Sequence, residues 1–144
     1  MKDVREVPTL RGHLVEISAV TNRQRALLSR TPIVEALLTS TLAGAQRRYR
    51  MKICFAVYLP QSYHLLLIPG SRRRLERFMT FVNQRVGGRL GPALGWSPGA
   101  WPRYYRAFVM ADGGRERENR LEALYRLALS DPVFFTPLED VAGS

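Results

Sequence analysis

Three consecutive arginines, Arg72-Arg73-Arg74, with Arg77 one turn on, stand where cations are least favoured. Ser71 can cap a helix there, and the aligned peptide dipoles make its first turn positive, at a cost of about 0.3–1 kcal/mol per cation. A helix start that gathers four guanidiniums against that field suits a phosphate backbone, whose oxygens the planar fork matches. The plainer alternative is a solvated cluster that keeps the chain soluble, and the cost of the position argues against it. Arg47-Arg48-Tyr49-Arg50 ends a helix instead, where cations are stabilised and need no further explanation.

The second group runs through Trp96, Trp101, Pro102, Arg103, Tyr104, Tyr105 and Arg106 and interleaves aromatic with basic side chains. Such a surface stacks unpaired bases and neutralises their phosphates. Arg103, Tyr105 and Arg106 are the candidate contacts, while a tryptophan such as Trp101 is more often a packing anchor than a base platform. His64 lies in an apolar strand whose alternation puts Ser62, His64 and Leu66 on one face and Tyr63 and Leu65 on the other. Composition and periodicity alone leave it a hydrogen-bonded strand histidine. Cys54 is the single cysteine, so no internal disulfide and no cysteine metal cluster can form.

The net charge of +10 fits these groups, and only Lys2 and Lys52 among the cations are lysines. A polyanion is the natural partner. A genome rich in arginine codons would explain arginine over lysine, but not the excess over Asp and Glu. An apolar share of 46% provides a full core for one domain spanning residues 1–144. No apolar run approaches the ~18 residues of a bilayer span, and Met1-Lys2-Asp3-Val4-Arg5-Glu6 lacks a signal core. The expectation is a soluble, cytoplasmic protein with no membrane partner.

Seven elements must position these residues. His13 to Val20 alternates as a strand; Thr31-Pro32 caps and opens a helix to about Tyr49, with Val34, Leu37, Leu38, Leu42 and Ala45 at helical spacing. Ile53 to Leu59 and Tyr63 to Ile68 form a hairpin broken at Pro60-Gln61, apolar on both faces as central strands are. From Ser71 a second helix carries Leu75, Phe78, Met79, Val82 and Val86 on one stripe, and Gly87-Gly88 is expected to end it. Arg89 to Pro102 reads as a long loop, Tyr104 to Met110 as a strand, and Arg115 to Ser130 as a third helix stopped at Asp131-Pro132. The class is α+β, a ferredoxin-like split βαβ arrangement: a central antiparallel sheet, two helices on one face, and an additional C-terminal helix.

At this point a family pattern is visible. The stretch from Ala56 through Leu59-Pro60-Gln61-Ser62-Tyr63-His64 to Leu67 resembles the signature strand of the HUH-superfamily tyrosine transposases, the REP-associated and small insertion-sequence group. There, two histidines flank one hydrophobic residue after a Met-Pro-Asn type turn. The resemblance extends to the strand at His13 to Thr21, the helix Arg73 to Val86, the Trp101-Pro102-Arg103-Tyr104-Tyr105 segment and the Asp-Pro-Val end of the last helix, about residues 11–133 in all. It implies a sheet that binds single-stranded DNA beside a hairpin and cuts one strand through a covalent phosphotyrosine. It also implies a divalent metal, magnesium or manganese, on the two histidines and a polar side chain.

The departures fall on the chemistry. Ser62 stands at the first histidine, His64 matches the second, and a serine hydroxyl is a poor substitute for imidazole. Asp131 matches the third ligand, but the tyrosine position four residues earlier is Leu127. Tyr125 is the nearest other nucleophile, and two residues turn a helix by about 200°, so it serves only if the helix is re-registered before Asp131. The reading is therefore a transposase-like protein that binds single-stranded or hairpin DNA, with cleavage lost or impaired, and with a divalent metal, magnesium or manganese, only if it is active. Two alternatives remain: an active metal-dependent nickase using Tyr125, His64, Ser62 and Asp131, and an RNA-binding or interaction module of the same architecture. The paired aromatic strand motifs of the common RNA-recognition domain are missing. A homodimer is compatible with either DNA reading.

Overall fold

A computed structural model describes residues 2–136. The elements are β1 (Lys2–Asp3), β2 (Val15–Val20), α1 (Pro32–Tyr49), β3 (Lys52–Leu59), β4 (Ser62–Ile68), α2 (Arg72–Leu94), β5 (Arg106–Val109), α3 (Gly114–Ala128) and β6 (Phe134–Thr136). One six-stranded sheet has the order β1-β5-β2-β4-β3-β6, with every neighbouring pair antiparallel. Without the two short edge strands, β5-β2-β4-β3 is the order of a ferredoxin-like split βαβ sheet, as the sequence predicts. The sequence pattern gave no sign of β1 or β6, which are two and three residues long. No helix among the described residues is long and apolar enough to cross a membrane.

The β3–β4 hairpin is buried on both faces, and two cores form on either side of it. Ile17, Ala56, Tyr58, Tyr63, Leu65 and Leu67 pack beneath Val34, Leu38 and Leu42 of α1 and Leu75, Phe78, Met79 and Val82 of α2. On the other face Cys54, Phe55, Val57 and Leu66 meet Leu124 and Ala128 of α3, with Leu121 and Leu127 packed alongside. A register shift between Ile53 and Phe55 lets two successive residues, Cys54 and Phe55, serve the second core. The caps are those the sequence predicts: Thr31 accepts from the Val34 N–H at 3.2 Å, and Ser71 from the Arg74 N–H at 3.1 Å.

The expected end of α2 at Gly87-Gly88 is wrong. The helix continues through both glycines and Pro92 to Leu94, and stops where Gly95 turns left-handed at φ 72°. What was expected as a loop from Arg89 is therefore helical for its first turns. The glycines have a packing purpose: a Cβ on Gly87 would lie 3.4 Å from Trp101 Cβ, and one on Gly91 3.8 Å from Trp96 Cε3. Two indoles thus lie close against the helix, and their burial offsets the roughly 1 kcal/mol that each helical glycine costs.

Gly88 points into open space. Gly88→Ala should therefore raise stability by about 0.5–1 kcal/mol, whereas Gly87→Leu should lower it by about 1–3 kcal/mol through overpacking against Trp101. Urea denaturation of the two variants beside the parent measures both signs.

Candidate nucleic-acid interface

The seven basic and aromatic residues expected at a nucleic-acid surface divide between two concavities on either side of the start of α2. Arg73, Arg74 and Arg77 line one of about 290 Å³, together with Arg48, Tyr49, Arg50 and Ser71. Arg72, Arg103, Tyr105 and Arg106 line the other, of about 340 Å³, with Asp3, Arg5, Glu76 and Tyr104. Among the described residues no carboxylate pairs with Arg48, Arg50, Arg73, Arg74 or Arg77; the ion pairs are made instead by Arg5, Arg30, Arg120 and Arg126. Arg72 is occupied differently: its guanidinium donates to the carbonyls of Val4 and Val7, holding the N-terminal segment against α2.

Arg48 and Arg50 belong to this surface although the sequence offers a simpler account of them. In a split βαβ fold the end of α1 and the start of α2 lie at the same end of the sheet, because one hairpin separates them. Arg50 adopts a left-handed cap at φ 51°, and the Arg48 guanidinium lies 5.2 Å from the centre of the Phe81 ring. Tyr104 is 87% exposed and Tyr105 half-buried.

The two strand residues that resemble catalytic ones, Ser62 and His64, lie on the opposite face, under α3. Ser18, opposite His64, pairs across β2 with Arg106 of β5, so the row runs Arg106, Ser18, His64, Val57. Ser62 and His64 share this face. Glu16, diagonal to His64, is only 1% exposed and is held in a two-pronged ion pair by Arg120 of α3. A carboxylate in the middle of an otherwise apolar strand was the sequence signal for this pair. Its partner on α3 had none.

His64 Nδ1 is buried without a hydrogen-bond partner among the described residues. Burial lowers its pKa below the ordinary histidine value, with Glu16 pulling it up and Arg120 pushing it down. The other expected residues do not join it. Tyr125 is 51% exposed on an unbroken helix, with no re-registration, and Leu127 turns onto the second core in its place. Asp131, at φ 68°, directs a carboxylate that is 91% exposed to within 3.9 Å of Arg30 on the approach to α1. This donor set does not suit a divalent metal: one imidazole, a serine, a carboxylate turned elsewhere, and a guanidinium already neutralising the nearby Glu16.

The fold is shared with a REP-associated tyrosine transposase bound to a REP hairpin, 15% identical, with a TM-score of 0.59 over 85% of this chain and 68% of that one. It is also shared with a proposed transposase from Deinococcus radiodurans R1, 17% identical, with a TM-score of 0.52 over 90% of this chain and 97% of that one. No family model and no curated protein matches the chain. The chain thus has the fold of these two transposases, which is the fold that the sequence resemblance predicts.

Two stability measurements probe the α3 face. Arg120→Ala leaves Glu16 buried and unpaired and should cost about 3 kcal/mol, the lower end of the range because Arg120 keeps some solvent; the double variant Glu16→Leu, Arg120→Leu should recover much of it. For His64 the neutral form is favoured in the fold. Its contribution is complete above the unfolded value of about 6.5 and lost as pH falls through the lower folded value. His64→Gln should therefore flatten the decline of unfolding free energy between about pH 7 and pH 5.

Proposed function

We propose that this chain binds DNA, as a single strand or beside a hairpin, and does not cleave it. The observation that carries the reading is the gathering in one concavity of five arginines, Arg48, Arg50, Arg73, Arg74 and Arg77, that have no carboxylate partner among the described residues. Arg103 and Arg106 continue the basic surface on the other side of α2, and Arg106 lies in the His64 row at the sheet edge. A strand crossing from α2 past Arg106 would meet cations in both concavities, with Asp3 and Glu76 beside them in the second. That a protein of the same fold is bound to a REP hairpin favours DNA as the polyanion.

The loss of cleavage rests on the α3 face. A phosphotyrosine mechanism needs a nucleophile beside the group that polarises the phosphate. Here Leu127 occupies the inward position, Tyr125 turns outward, and Arg120 is committed to Glu16. The proposed contact residues are Arg72, Arg73, Arg74, Arg77, Arg103, Tyr105 and Arg106, with Arg48 and Arg50 added by their position.

Gel shifts on a hairpin carrying a single-stranded flank test the reading. Arg74→Glu with Arg77→Glu should weaken binding at least tenfold and shallow the slope of log affinity against log salt by roughly one per lost phosphate contact. Absence of binding by the parent at modest salt would remove the proposal. Incubation of labelled strands with Mn²⁺ should leave no covalent adduct, and an adduct abolished by Tyr125→Phe would restore the nickase reading.

A further inference from the structure

A cavity of about 590 Å³ lies along the second half of α2 and the segment from Trp96 to Tyr105, apart from the arginine concavity and from His64. That volume falls in the range of ~300–1,000 Å³ for small-ligand sites. Its wall is an aromatic stack. The Trp101 ring lies 5.5 Å from Trp96 at 3° and 5.7 Å from Tyr63 at 9°, and the Tyr58 ring lies 5.2 Å from Tyr63 and 6.3 Å from Trp101. Trp101 is 7% exposed, whereas Trp96 is half-buried and lines the cavity.

The polar lining is specific. Asn83 Oδ1 accepts from Trp101 Nε1–H at 3.1 Å and from the Tyr63 hydroxyl at 3.3 Å. An indole N–H can only donate, so the amide orientation is fixed: oxygen inward, with the two N–H donors of Nδ2 left for the cavity. Trp96 is pinned through Nε1–H to the Leu27 carbonyl at 3.1 Å. Arg103 lines both this cavity and the neighbouring basic concavity, which joins the two at one cation.

We propose that this cavity receives an unpaired nucleobase of the bound DNA strand, stacked on Trp96, with a carbonyl or ring-nitrogen acceptor on Asn83 Nδ2 and the adjoining phosphate on Arg103. Aromatic surface, a fixed donor pair and a guanidinium at the rim match the three parts of one nucleotide. The inference rests on the DNA-binding reading and assigns it a base-specific subsite.

Gly88 lines the cavity, is exposed and helical, and has nothing near its missing Cβ. Gly88→Leu thus plugs the site without disturbing the fold. The only two tryptophans both line the cavity, so intrinsic emission reports on it. Titration with a hairpin bearing a single-stranded flank should quench that emission. The same hairpin with abasic flank positions, and the Gly88→Leu variant with the intact flank, should each bind about fivefold or more weakly and lose the quenching. Binding of the parent that is indifferent both to the missing bases and to the plug would overturn the pocket while leaving the DNA reading in place. Failure of the parent to bind either DNA would overturn both. The abasic comparison needs no variant, so it holds whatever Gly88→Leu does to stability.

Discussion

A hairpin that is apolar on both faces has to be covered twice, and the rest of this structure follows from that requirement. The split βαβ connection supplies α1 and α2 to one face only. Cys54, Phe55, Val57 and Leu66 on the other face need a third helix, and the register of α3 is set by placing Leu124 and Ala128 on them with Leu121 and Leu127 alongside. Each buried side chain of this kind contributes on the order of 1.5–3 kcal/mol. Rotating α3 by the 200° or so that would bring Tyr125 inward would expose that stripe. Covering the sheet and presenting a tyrosine to His64 are therefore competing demands on the same helix, and packing holds the inward position.

The Glu16–Arg120 pair follows the same logic. A carboxylate on an interior strand is tolerable only with its charge met, and the helix that covers the face also brings the guanidinium. The pair adds direction to a contact otherwise made of aliphatic side chains, since only one placement of α3 satisfies it. It also leaves His64 between an anion and a cation that oppose each other, so burial decides the protonation of the ring.

Most of the architecture was legible because it is written in local patterns: proline and serine or threonine caps, strand alternation, and a hairpin without a polar face. The second half of α2 was not. Gly87, Gly88, Gly91 and Pro92 carry every local mark of a loop, and they are helical because Trp101 and Trp96 lie against the two glycines of one face. That is a tertiary override, and the sequence signal for it lay in the indoles rather than in the helix. The two edge strands were illegible for a different reason: two or three residues carry no period, and pairing with β5 and β3 alone defines them. For the site, residue type could nominate His64, Ser62 and Asp131, but it could not show that the left-handed turn at Asp131 points its carboxylate toward Arg30.

The arginine cluster illustrates how topology changes an argument drawn from one helix. Taken alone, the start of α2 repels cations. In the fold the carbonyl end of α1 lies beside it, and its negative end offsets part of that field for Arg73, Arg74 and Arg77 while stabilising Arg48 and Arg50 directly. The cost of position is therefore smaller than a single helix suggests, and it no longer carries the case. What replaces it is proximity: five like charges share one concavity of about 290 Å³. Like charges ~8 Å apart in water repel by about 0.5 kcal/mol per pair, and no carboxylate among the described residues lies within ion-pair reach of these five to offset it. A phosphate backbone relieves that repulsion on binding and releases its own counterions, so the free protein is held in a state that a polyanion improves. A cluster serving solubility alone gains nothing from such crowding, since the same charges spread over the surface would serve it at lower electrostatic cost.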